Sequence, residues 1–192
     1  MLDVVEAERG LVAVAGIDDD SLAHDANWVE GDFAVNDGGN DVVRRRLTAT
    51  VRSTVITTAT RVIARTPPSP GSDVFGALTG AAQYLGDLSP DRHKRVVFLS
   101  DMVNTAGGPG LNLTAGDWNA APSRARLLAT LRTSGLLPDL HGITVWVAGA
   151  GLATGDELPG RQVLAIRQAW LAVFAAGGAS DVRYGSNLSV TA

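Results

Sequence analysis

A chain of 192 residues, 45% hydrophobic and 19% charged with a mean hydropathy of +0.12, can bury one sizeable core, so a disordered or collagen-like chain is excluded. Its 16 Lys and Arg against 20 Asp and Glu give a net charge of −4, without the overall positive field that holds nucleic acid or an anionic membrane. No cysteine is present, which removes disulfides and thiolate chemistry. The acidic start MLDVVEAERG does not read as a signal peptide, and no apolar run approaches the ~20 residues that span a bilayer. The expectation is a single domain over residues 1–192, cytoplasmic, with no nucleic-acid or membrane partner.

In chain order, Leu11 to Gly16 (LVAVAG) is the first apolar strand, and DFAVN at Asp32 to Asn36 is a weak second. Asp41 to Arg65 reads as a helix. Leu47, Val51, Val55, Ala59 and Val62 or Ile63 form its stripe, Asn40 or Asp41 its cap, and Arg44, Arg45, Arg52, Arg61 and Arg65 its solvated side. TPPSPG at Thr66 to Gly71 is a linker, followed by a helix at Ser72 to Gly86 and a strand at Arg95 to Ser100 (RVVFLS). The Gly- and Asn-rich stretch Ala106 to Pro122 is a loop. A helix at Ser123 to Ser134 and a strand at Gly142 to Ala148 (GITVWVA) come next. The helix Arg161 to Ala176 carries Val163, Ile166, Trp170, Val173 and Phe174 on one stripe, which makes Trp170 a core residue, and Asp181 to Tyr184 is a short last strand. Strands apolar on both faces, alternating with helices, predict an α/β fold with a doubly wound, mostly parallel, Rossmann-like sheet.

Motifs for nucleophilic or zinc chemistry, GxSxG and HExxH, are absent, and His24, His93 and His141 stand far apart. Gly149, Gly151 and Gly155 after a strand imitate a dinucleotide turn, but GLATGDELPG continues as loop where the turn should open a helix. Ser72 can cap the helix that follows it, and Asp101 can hold the loop MVNTAGG through backbone amides. Asp18, Asp19 and Asp20 make an acidic turn at the carboxyl end of the first strand.

GSDVFGAL at Gly71 to Leu78, followed by RVVFLSD at Arg95 to Asp101, resembles the second and third parts of the metal ion-dependent adhesion site of von Willebrand factor type A domains. The resemblance extends over most of residues 70–185. It implies that Ser72 and Asp101 hold Mg²⁺ or Mn²⁺ at the carboxyl end of a doubly wound sheet, and that the module binds a protein partner through the partner's carboxylate. The family's first motif, DxSxS, is absent. In one register LVAVAGI is the family's first strand, and Asp19 and Ser21 open the degenerate motif with Ala23 in place of its last serine. In the other, LVAVAGI is the second strand, preceded by the helix tail LDVVEAERG. The central first strand is then missing from this truncated chain, leaving unpaired sheet edges that seek a partner strand. The resemblance implies a protein-binding module and not an enzyme. The alternatives are a small Rossmann-like nucleotide-dependent or hydrolytic enzyme using the Gly149 to Gly155 turn, and a metal-free scaffold.

Overall fold

The computed structural model describes residues 2–22, 28–64, 71–108, 110–152 and 158–187. Ala23, His24, Arg65, the linker 66–70 and Gly155 lie outside the described residues. The chain divides into two units, Met1–Gly16 with His24–Pro68 and Ile17–Ala23 with Ser69–Ala192.

In the first unit, helix α1 (Leu2–Ala7) leads into strand β1 (Leu11–Val14), which pairs with β2 (Val29–Asp32), and helix α2 (Asp41–Ala64) follows. The pairing corrects the sequence reading in both registers: β1 is not a strand of the parallel sheet but runs antiparallel to β2, Leu11 opposite Asp32 and Val14 opposite Val29. An apolar run of this length fits either environment, and all four β1 residues are only half-buried. The second strand lies earlier than DFAVN because Gly31 is the close-packing position. A Cβ there would stand 2.3 Å from Val55 Cγ2 of α2. Phe33, 1% exposed, continues the ladder through its N–H to the Gly10 carbonyl at 2.9 Å.

Helix α2 is capped by Asn40, whose Oδ1 accepts the Val42 and Val43 N–H groups at 2.9 and 3.2 Å. Among its described side chains Thr48 and Val55 are buried and Val51, Ala59 and Val62 half-buried, so the expected stripe holds except at its start, where Thr48 takes the place of Leu47, which is 37% exposed. The Thr48 hydroxyl is accommodated by bonding back to the Arg44 and Arg45 carbonyls. Arg52 spans to Asp3 and Glu6 of α1 at 2.6 and 3.2 Å.

The second unit holds a parallel three-stranded sheet of β3 (Lys94–Leu99), β4 (Ile143–Ala148) and β5 (Asp181–Tyr184) in that spatial order. Helix α3 (Val74–Gly86) precedes it, and α4 (Ala121–Thr133) and α5 (Gly160–Ala176) form the crossovers. Both crossovers step the same way across the sheet, and α4 packs against α5, as two right-handed connections on one face require. Phe75 of α3 packs on Trp170 of α5 with ring centroids 4.4 Å apart, so α3 joins that layer. The α/β expectation with a parallel, helix-flanked sheet therefore holds. Among the described strands of this unit the spatial order follows the chain order without reversal.

Val96, Phe98, Val145 and Val147 of one sheet face and Ile166, Trp170, Val173 and Phe174 of α5 make up the core of this unit, each at most 8% exposed. On the opposite face, the Trp146 ring lies between the guanidinium groups of Arg95 and Arg183, at 3.9 and 4.6 Å from its centroid. Neighbouring strands supply all three, Trp146 standing directly opposite Arg183 in the register.

Candidate functional site

Three loops of the second unit converge at the carboxyl end of β3. The Ser72 carbonyl accepts the Thr105 and Ala106 N–H groups at 3.0 and 3.3 Å, and the Ser72 N–H donates to Thr105 Oγ1 at 2.9 Å. The Asp73 N–H donates to the Asp18 carbonyl at 2.6 Å. Gly71 marks the meeting point: a Cβ there would stand 3.4 Å from the Asp19 Cβ, 3.6 Å from the Ala106 Cβ and 3.8 Å from Thr105 Oγ1. Residues 18–21, Ser72 with Asp73, and 101–106 thus share one rim at the sheet end where α/β proteins bind ligands.

Asn104, fully buried, organises this rim. Its Oδ1 accepts the Val74 and Phe75 N–H groups at 2.7 and 3.1 Å, and its Nδ2 donates to the Ala106 and Leu111 carbonyls at 2.8 and 2.9 Å. One side chain therefore serves two amides of the first turn of α3, which have no partner within the helix, and two loop carbonyls.

Asp73, 4% exposed, caps the same helix, its Oδ1 accepting the Gly76 N–H at 2.9 Å. The cap is Asp73 rather than Ser72, which corrects the sequence reading. The hydroxyl residue lies one position too early, and its N–H and carbonyl are taken by the 105–106 backbone and Thr105. Neither Asp73 nor Asn104 was among the sequence candidates. The only signal for them was an Asp just before an apolar helical run and an Asn in a loop following SD.

Asp101 sits where β3 leaves the sheet. Its Oδ1 accepts the Val103 N–H at 3.0 Å, so it holds its own loop as its sequence suggested, and its carbonyl accepts the Gly151 N–H at 3.1 Å. Met102 then adopts φ +65°, a left-handed conformation unusual for a bulky residue. A fully buried side chain and the Trp170 Nε1–H, donated to the Met102 carbonyl at 2.8 Å, hold it there. Ser21, 7% exposed, is engaged within its own turn, its Oγ accepting the Asp18 N–H at 3.1 Å and donating to the Asp18 carbonyl at 3.3 Å. Asp19 is half-buried beside Gly71.

Burial pushes the Asp73 carboxyl above the usual carboxylate range. The Gly76 N–H opposes this, and the negative charges of Asp20 and Asp18 add to it. The folded state therefore holds this proton more tightly than the unfolded chain. The ionised form costs stability as pH rises through the ordinary carboxylate range and above it. Asn caps as well as Asp, so Asp73→Asn should gain stability relative to the native chain as pH rises from 4 towards neutrality, and lose that advantage at low pH. Urea denaturation at a series of pH values checks this; a difference independent of pH would contradict it.

The four candidate Mg²⁺ ligands, Asp19, Ser21, Ser72 and Asp101, lie on the three loops of this rim. Ser21 Oγ is engaged by its own turn and one Asp101 oxygen by Val103. Among the described residues no group of three or more His, Asp or Glu side chains is arranged to hold a metal ion. At the Gly149 turn the amides are also committed: Gly149 and Ala150 donate to the Ser186 and Gly185 carbonyls, and Gly151 to that of Asp101. These glycines serve packing, since a Cβ on Gly151 would lie 2.5 Å from Val163 Cγ1 and one on Gly149 3.2 Å from the Ser100 carbonyl oxygen. Scans against protein-family models, curated proteins and solved structures give no match to this chain.

Proposed function

We propose that the chain is a von Willebrand factor type A-like module that binds a protein partner at the rim carrying Ser72, Asp73, Asp101 and residues 18–21. The observation that supports this reading is the joining of the three loops by the Ser72–Thr105 and Asp73–Asp18 hydrogen bonds into one surface at the end of a parallel sheet. Among the described residues 18–21, 72–73 and 101–106 the ionisable side chains are all acidic, and of these Asp18, Asp19, Asp20 and Asp101 are not buried, so the complementary partner surface carries Lys or Arg. Recognition rests on hydrogen-bonded loops held in place by Asn104 and the α3 cap, and needs no bond-breaking step.

The test is a titration of the full chain and of Asp101→Ala with a lysine-rich peptide, with Mn²⁺, and with ATP and NAD in separate experiments, read by backbone amide NMR shifts. The reading predicts peptide-induced shifts centred on residues 18–21 and 101–106, salt-sensitive and weakened several-fold in Asp101→Ala. Tight Mn²⁺ binding lost in Asp101→Ala would restore the cation as the recognition element. Saturable ATP or NAD binding indifferent to Asp101→Ala would replace the module by a nucleotide-dependent enzyme.

A further inference from the structure

The two edges of the three-stranded sheet are built differently. β5 is short, and the residues Asp181 and Arg183 that alternate along it are exposed and charged, a composition that discourages further pairing. β3 has the composition of an interior strand, RVVFL, yet among the described residues it pairs on one side only. The Ser100 N–H bonds to the Ala148 carbonyl, which fixes the even-numbered positions of β3 as those facing β4. The backbone N–H and C=O groups of Arg95, Val97 and Leu99 therefore point to the open edge, and among the described residues no backbone partner meets them there. Leu99 is 70% exposed, although it belongs to an apolar strand.

We propose that this edge pairs with the same edge of a second copy of the chain, β3 against β3 in antiparallel orientation about Val97. The strand is complementary to itself in that register. Val97 faces Val97, Arg95 faces Leu99, Lys94 faces Ser100, and His93 faces Asp101. The basic end of one strand thus lies beside the acidic end of the other, and no like charges stand opposite each other. Arg95, Val97 and Leu99 exchange main-chain hydrogen bonds with their counterparts. The proposal does not rest on the rim's function, since the edge backbone carries the contact, and the rim is met only at Asp101, where the paired segment ends.

Light scattering coupled to size exclusion, on the full chain from low to high micromolar concentration, tests it. The native chain should reach the mass of two chains. Val97→Pro, at a position whose N–H makes no bond to β4, should remain a single chain with unchanged circular dichroism. Leu99→Arg, which sets an arginine against Arg95 of the second copy, should weaken association at least tenfold, whereas Leu99→Glu should retain it. A native chain that stays single throughout overturns the proposal, as does a dimer indifferent to both Val97→Pro and Leu99→Arg. Protection of the Val97 amide from hydrogen exchange in a single-chain species would assign the edge to another occupant and would overturn it equally.

Discussion

Replacing Trp170 by alanine should lower the free energy of unfolding by about 4 kcal/mol, the largest single effect expected in the second unit. Trp170 is fully buried, lies against Phe75 at 4.4 Å and Phe174 at 5.7 Å, and donates its indole N–H to the Met102 carbonyl. Alanine leaves a cavity between α3 and α5 and an unpaired carbonyl at a residue held in a left-handed conformation. Trp170→Phe keeps most of the apolar contact and isolates the hydrogen bond, with an expected loss of about 1–2 kcal/mol. Urea denaturation of both variants separates the two contributions; a Trp170→Phe loss near zero would mean that the indole N–H contributes nothing beyond the ring's bulk.

Asn104→Ala should cost about 3 kcal/mol, because the truncation strands two helix amides and two loop carbonyls together. The loss is less than the sum of four buried unsatisfied groups, since the rim admits water once the loop loosens. Asn104→Asp discriminates the halves of the network. It keeps an acceptor for Val74 and Phe75 and removes both donors, so it should fall between the native chain and alanine. A loss under 1 kcal/mol for Asn104→Ala would show that the loop is held by something other than this side chain.

Much of the second unit was legible in the sequence. Helical spacing at Val163, Ile166, Trp170, Val173 and Phe174 located α5 and its buried side. Continuous apolar runs located β3 and β4 within one residue, because strands covered by a helical layer on one face and ringed by neighbours need apolar side chains along most of their length. In the first unit the elements were legible, α2 and its Asn40 cap above all, but the strand pairing was not. LVAVAG is equally compatible with a parallel or an antiparallel neighbour, and what decides is a tertiary contact, the close approach of Val55 to Gly31, that no local pattern carries. Thr48 replaced Leu47 on the buried side of α2 because a threonine in a helix can satisfy its hydroxyl on the preceding turn, which makes it nearly as acceptable inside as an apolar residue.

At the rim, the sequence pointed to Ser72 and Asp101, and the loops that bear them do meet. The residues that make them meet, Asn104 and Asp73, were not found. Their role depends on which backbone groups lack partners, and that becomes visible only once the start of α3 and the loop after β3 are in place. Asp101 shows the converse case: a carboxylate that binds the amide two residues on is a local arrangement, and the sequence alone carried it.

Hydrogen exchange at the Val74 and Phe75 amides tests most directly the claim that one buried asparagine locks the α3 start to the loop after β3. Amides in the first turn of a helix ordinarily exchange fast, having no partner within the helix. With Asn104 Oδ1 bonded to both, they should exchange as slowly as the buried strand amides of Val96 and Phe98, and Asn104→Ala should return them to fast exchange while those strand amides stay protected. Fast exchange at Val74 and Phe75 in the native chain would contradict the account.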